Sequence, residues 1–289
     1  MSTLEFGEVI ASFGRQYLVR ADDARTIECV PRGKRSELAC GDRVAFEISG
    51  DRGVIERFEP RTSLYARASV HRTKLIAANA TQVVVVVALE PSWSDELVCR
   101  AIVAAEHARL SVLIVLNKCD LAGIEPARAR VAPFRRAGHR VLELVARIDV
   151  APLRSHLSGE RSVLLGQSGM GKSTIINRLL PDANAQVAEI SHFLDSGRHT
   201  TSAARLYRLD DATMVIDSPG LQEFGLAHLS RGDIERGFIE LAPLLGRCRF
   251  NDCRHRSEPG CAVRVELDAG GVDPRRYALL MRILDAEAR

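Results

Sequence analysis

No stretch of about 18 uninterrupted apolar residues occurs in this 289-residue chain, so a membrane-spanning helix is not expected. The longest candidate, Val83 to Leu89, is only strand-sized. The N-terminus, Met1-Ser2-Thr3-Leu4-Glu5, has no basic start leading into an apolar stretch. A signal peptide is therefore not expected, and the expected setting is the cytoplasm, with no membrane partner. Charge of one sign is scarce too: the net charge of +3 is too small to identify a nucleic-acid binder by itself. The seven cysteines are few and odd in number, which argues against a disulfide framework. Internal repeats and low-complexity segments are absent as well.

What is present supports a globular chain. It is 46% hydrophobic and 27% charged, enough for a buried core, and its length corresponds to two or three domains. Residues 4 to about 60 carry five short alternating stretches, Gly7–Phe13, Gln16–Arg20, Thr26–Val30, Arg43–Glu47 and Gly53–Phe58. Turn residues separate them, which predicts a small closed barrel. Glu59 to Ser63 reads as a linker. Beyond it the pattern changes. Thr81–Leu89 and Ser111–Leu116 are continuous runs rich in β-branched and aliphatic residues, as in strands covered on both faces. Asp95–Ala108 and Pro126–Ala137 have helical spacing, and Arg140–Leu144, Ser162–Leu165 and Thr213–Ile216 read as further strands. Strand alternating with helix predicts a parallel α/β sheet with right-handed crossovers. From about residue 231 onward, helices flank a cysteine-rich loop.

Gly166-Gln167-Ser168-Gly169-Met170-Gly171-Lys172-Ser173, followed by Thr174, matches the eight-residue phosphate-loop pattern between a strand and a helix. Glycines let backbone N–H groups approach phosphate, and the helix N-terminus adds partial positive charge. Lys172 is expected to reach the β- and γ-phosphates, and the Ser173 hydroxyl to ligate Mg²⁺. Asn117-Lys118-Cys119-Asp120 follows a buried strand. A carboxylate at Asp120 can accept from guanine N1–H and the exocyclic amine. Adenine has neither donor and would leave the carboxylate unpaired, so the expected nucleotide is GTP or GDP.

Asp217-Ser218-Pro219-Gly220 follows another strand. Asp217 is expected to hold Mg²⁺ through water, and the Gly220 N–H to approach the γ-phosphate. Upstream lies Gly197-Arg198-His199-Thr200-Thr201, where either Thr200 or Thr201 would supply a hydroxyl to Mg²⁺. Many GTPases place a water-orienting Gln directly after the Asp-x-x-Gly glycine. Here the residue is Leu221, so unaided hydrolysis should be slow. His199 is the polar candidate to orient the water, or else only shapes its loop.

The base-reading loop precedes the phosphate loop, a rotated order. It is tolerable because all these loops are expected at the C-terminal ends of parallel strands. The chain then passes from the Asp217–Gly220 sensor directly into the C-terminal module, so residues 221 to about 245 are the expected route for nucleotide state. There Cys248, Cys253, His255 and Cys261 supply three thiolates and an imidazole within fourteen residues. Soft sulfur plus nitrogen in a closed set of four suits a structural Zn²⁺.

Together these residues resemble the ribosome small-subunit-dependent GTPase A family (RsgA, also YjeQ or EngC). The resemblance spans nearly the whole chain, and it includes Arg276-Tyr277 near the end. It implies an OB-fold barrel at 1–62, a circularly permuted P-loop GTPase domain at 63–230 and a helical zinc-binding domain at 231–289. It implies GTP hydrolysis stimulated by the small ribosomal subunit, contact with its rRNA, and a role in its late maturation. A monomer is expected. One departure is Val145-Ala146-Arg147, where such GTPases carry a Ser-Ala type loop at the guanine. The Ala146 backbone N–H is the remaining donor for the guanine O6. Residues 1–60 hold nine Lys/Arg against eleven Asp/Glu, so rRNA contacts would rest on local patches or on the acid-free stretch Arg61–Lys74, which carries Arg61, Arg67, Arg72 and Lys74. A second basic cluster is Arg247, Arg249, Arg254, Arg256 and Arg264. Two other readings compete: an RNA- or ribosome-binding module in which hydrolysis is incidental, and a phosphate-loop kinase, which the Asn117–Asp120 loop disfavours.

Overall fold

The five alternating stretches near the N-terminus close on one another. In the computed structural model, which describes residues 4–33, 37–69, 72–180 and 204–288, they are β1 (Glu5–Phe13), β2 (Gln16–Ala21), β3 (Thr26–Pro31), β4 (Arg43–Ser49) and β5 (Arg52–Phe58). β1 pairs with both β2 and β4, and β5 lies between β3 and β4, which completes an OB-like barrel. Its own apolar core includes Val9, Tyr17, Val19, Cys29, Val44, Phe46 and Ile55.

A hairpin follows, β6 (Leu64–Ser69) and β7 (Arg72–Ala78), standing apart from the main sheet. The α/β unit comprises β8 (Gln82–Ala88), α1 (Asp95–His107), β9 (Ser111–Asn117), α2 (Glu125–Arg136), β10 (Arg140–Glu143), α3 (Ala151–Leu157), β11 (Arg161–Leu165), α4 (Lys172–Leu179), β12 (Arg205–Arg208) and β13 (Met214–Asp217). The strand order β10-β9-β8-β11-β13 is parallel throughout, and every residue of β8 is buried, as its unbroken β-branched run requires. Helix α1 starts where Ser94 caps the Leu97 N–H and where Asp95 and Glu96 complement the helix dipole. β12 runs antiparallel to β13, and its outer edge meets β1 at Ala11 and Arg205. The barrel and the α/β sheet are therefore one eleven-stranded sheet.

Past the sheet come α5 (Arg231–Arg236), α6 (Ala262–Asp268) and α7 (Pro274–Glu287). α5 begins with a reciprocal capping box between Ser230 and Asp233. Arg276, on α7, is only 2% exposed. Its guanidinium donates to Glu240 at 2.6 and 2.9 Å and to Cys99 Sγ at 3.4 Å, between the rings of Phe134 and Phe238. This fully paired buried charge ties the C-terminal helix to α1 and α2, and loss of either partner would strand the other charge. Among the described residues no helix is long and apolar enough to cross a membrane.

Candidate functional site

Parallel strands put the loops after β9, β10, β11 and β13 along one edge of the sheet, where open α/β sheets bind ligands. The phosphate loop leaves β11 at the buried Gly166 and enters α4 at Gly171, the N-cap, with φ +95° and no side-chain cap. The first N–H groups of α4 therefore lack intrahelical partners and face the loop. Lys172 Nζ donates to the Gly166 carbonyl at 2.7 Å, which folds the ammonium back over the loop. Met170 is buried beneath it, the Gln167 Oε1 accepts from the Ser94 N–H at 2.6 Å, and Ser168, Gly169, Ser173 and Thr174 are exposed.

Asn117 connects the two nucleotide loops. Its Nδ2 donates to the Met170 carbonyl at 2.9 Å, and its Oδ1 accepts from the Ala146 N–H at 3.0 Å. Only glycine allows this approach, because a Cβ on Gly171 would lie 2.3 Å from Asn117 Nδ2. The Ala146 N–H is thus engaged by Asn117 in this structure. Lys118 Nζ donates to the Glu90 carbonyl at 2.6 Å, and Cys119 Sγ bonds the Leu116 carbonyl at 3.1 Å. Asp120, Asn117, Lys118, Ala146, Arg147, Gly171 and Thr174 line one cavity of about 180 Å³.

The third loop closes on the first. The Leu221 N–H donates to the Gly166 carbonyl at 3.0 Å, and a Cβ on Gly220 would come within 4.0 Å of the Ser168 nitrogen. Asp217 stands near Lys172. Burial raises the Asp217 carboxyl pKa and lowers that of the Lys172 ammonium, and each charge partly restores the other. Leu221 is 3% exposed and belongs to the core, so no polar group stands at that position. His199, Thr200 and Thr201 lie outside the described residues.

The cysteine cluster forms a separate centre. Cys248, Cys253, His255 and Cys261 bring their ligand atoms within 4.8 Å of one another. His255 Nδ1 is 3.5 Å from Cys248 Sγ and 3.4 Å from Cys261 Sγ, and the two sulfurs are 4.0 Å apart. Tetrahedral zinc with its usual bond lengths needs about 3.5 Å between sulfur and nitrogen and about 3.8 Å between sulfurs, so the donor set fits. The sulfurs are far too distant for disulfides. Two supports were not foreseen from the sequence. Glu235 on α5 places Oε1 3.6 Å from His255 Nε2, which leaves Nδ1 toward the sulfurs. Tyr277 Oη donates to the His255 carbonyl at 2.6 Å. Neither contact has a local signature, because Glu235 and Tyr277 lie some twenty residues from His255 in sequence.

The basic stretch is less available than its composition implies. Arg61 pairs with Asp42, which is 0% exposed, and Arg67 bonds the Glu223 carbonyl and carboxylate. Arg72 is exposed, whereas Lys74 is half-buried, its ammonium pKa lowered by burial and by the charges of Arg67 and Arg72.

Comparison with known proteins agrees with this geometry. The RsgA GTPase family profile matches residues 58–227. A protein of Nitrosospira multiformis named small ribosomal subunit biogenesis GTPase RsgA is 51% identical over 280 residues, covering 96% of this chain and 90% of that protein. One of the same name from Ralstonia pickettii is 47% identical over 293 residues, covering 98% and 93%. Among solved structures, YjeQ from Thermotoga maritima superposes with a TM-score of 0.73 at 24% identity, covering 99% of both chains. YloQ, described as a circularly permuted GTPase, gives 0.70 at 22%, covering 99% of this chain and 96% of the other.

Proposed function

This chain belongs to the RsgA GTPase family, and on that premise we propose that it binds the small ribosomal subunit in the cytoplasm and acts in its late maturation. It is a guanine-nucleotide-binding GTP hydrolase. The observation that supports a partner-dependent reaction is the burial of Leu221 where a water-orienting side chain would otherwise stand.

In this reading the division of labour follows the loops. Gly166 to Thr174 wraps the phosphates, Lys172 supplies positive charge, and Asn117, Lys118, Cys119 and Asp120 hold the base. Ser173 and Asp217 have the oxygen chemistry to hold Mg²⁺, directly and through water, and that ion would neutralise charge on the transferring phosphoryl group. Gly220 offers its N–H to the γ-phosphate. Thr200 or Thr201 would complete the metal shell, and His199 would orient water. Cys248, Cys253, His255 and Cys261 hold one structural zinc. The barrel (1–62) and the zinc module (231–289) flank the GTPase unit (63–230) and meet rRNA through local patches. Arg72 and Arg247 are exposed cations available to phosphate, whereas Arg61, Arg67 and Arg256 have carboxylate partners. The protein acts as a monomer.

The test is GTP turnover by the full chain with and without purified small subunits, with Lys172→Ala as the nucleotide-site control. We expect slow turnover alone, a rise of at least tenfold with subunits, and no rise in the variant. Subunits that bind without raising turnover would favour the binding module with incidental hydrolysis.

A further inference from the structure

Asp120 has a partner already. The Arg147 guanidinium donates to Asp120 Oδ2 through Nε at 2.9 Å and through Nη2 at 2.5 Å. The Arg147 backbone is held in place. Arg178 donates to the Arg147 carbonyl and, at 3.3 Å, to that of Ile148, while the Ile148 and Asp149 N–H groups both bond the Val145 carbonyl. The side chain itself is free to swing, being 70% exposed. Val145 carries no hydroxyl, so its side chain gives Asp120 no hydrogen bond.

The chemistry of the two possible partners of Asp120 is the same. Guanine's N1, C2 and exocyclic amine form a guanidine fragment whose two N–H groups point side by side toward a carboxylate. Arginine's Nε–H and Nη–H can make the same planar fork, and here both donors converge on Oδ2. We propose that Arg147 is a guanine surrogate for Asp120: the guanidinium and the guanine edge compete for one carboxylate, so that this side chain tunes how readily guanine nucleotides enter. This rests on reading Asn117–Asp120 as the base loop. Arg147 holds the Asp120 carboxyl below its ordinary pKa, so the carboxylate stays ionised for either partner. It also lines the same cavity as Asp120 and Thr174. An exposed pair of this kind is weak, which limits the competition to about two- to fivefold and keeps the site usable.

The experiment is stopped-flow binding of fluorescent GDP to the full chain. Arg147→Ala should tighten GDP about two- to fivefold, chiefly through faster association, and the gain should shrink as salt rises. Arg147→Lys, which keeps the charge but not the planar fork, should lie between. In an Asp120→Asn background, where the amide can donate to the 2-oxo group of xanthine, Arg147→Ala should leave xanthosine diphosphate binding unchanged. Unchanged or weaker GDP binding in both Arg147 variants overturns the surrogate role, provided Asp120→Ala still weakens GDP. If Asp120→Ala leaves GDP affinity intact, the base-loop reading falls, and the surrogate with it.

Discussion

His139 is 6% exposed, and its Nε2 has no hydrogen-bond partner. It packs on the Phe134 ring, close to Arg276. Burial, and then the Arg276 charge, pushes the imidazole from 6.5 down to about 4. The unfolded chain takes up this proton near pH 6.5, whereas the folded chain refuses it until about pH 4. The stability linked to this group is thus complete above pH 6.5 and is lost as pH falls toward 4. The shift corresponds to roughly 2 kcal/mol between pH 7 and pH 5. His139→Leu should remove that part of the pH dependence, whatever its effect at pH 7. Urea unfolding of both proteins at the two pH values measures the double difference, and equal pH dependence would rule His139 out. The same residue scale explains why the nucleotide loops were legible. A glycine at 171 and an Asn at 117 are each required by a short local motif, and the structure joins them across the site.

Helix α5 is the element that carries a carboxylate to the cysteine cluster. Its capping box fixes its start, and Glu235, one turn on, faces His255 Nε2 while accepting from Arg231 at 2.7 Å. A carboxylate on the outer nitrogen fixes the ring orientation and raises ligand basicity. Glu235→Gln should therefore speed zinc release to a chromogenic chelator about tenfold or more, with GDP binding unchanged. Release at the wild-type rate would remove Glu235 from this role. The Cys/His cluster was readable because its four residues lie within fourteen positions, but Glu235 was not, because its partner is reached only through folding. The β6–β7 hairpin and β12 were missed for the same reason. Locally, Leu64–Ser69 alternates small, aromatic and basic residues. What buries it is a segment about 150 residues away, where the Ala68 N–H donates to the Gly225 carbonyl at 2.9 Å and the Ala227 N–H donates to that of Ala68 at 3.1 Å. A Cβ on Gly225 would sit 2.2 Å from the Ala68 oxygen, so that glycine marks the contact without revealing its partner.

At the scale of the whole molecule, the rotated loop order acquires a mechanical content. Residues 224–227 follow the Asp217–Gly220 loop, the proposed γ-phosphate sensor, and are gripped on two sides. The hairpin holds Gly225 and Ala227, and α1 and α7 hold the chain through Arg100 and Glu287. Arg100 donates to the carboxylates of Glu96 and Glu287, and Glu287 Oε1 accepts from the Leu226 N–H at 3.3 Å. Beyond this point α5 carries Glu235 to the cysteine cluster, and Arg276 anchors α7 to Glu240. Movement of Gly220 toward or away from a γ-phosphate, where it passes through the exposed Gln222 and Glu223, would break these contacts or carry the hairpin and the end of α7 with it. We expect hydrogen exchange in residues 221–245 and in the last turn of α7 to differ between the GDP and non-hydrolysable GTP complexes. Arg100→Ala should abolish the difference in α7 while leaving nucleotide affinity within about twofold, since Arg100 bonds none of the described nucleotide loops; because Arg100 is buried, its loss leaves Glu287 unpaired and should also lower stability by about 3 kcal/mol. Identical exchange in the two wild-type complexes would mean that the zinc module is carried passively, and that the permuted order places the sensor beside it without coupling the two.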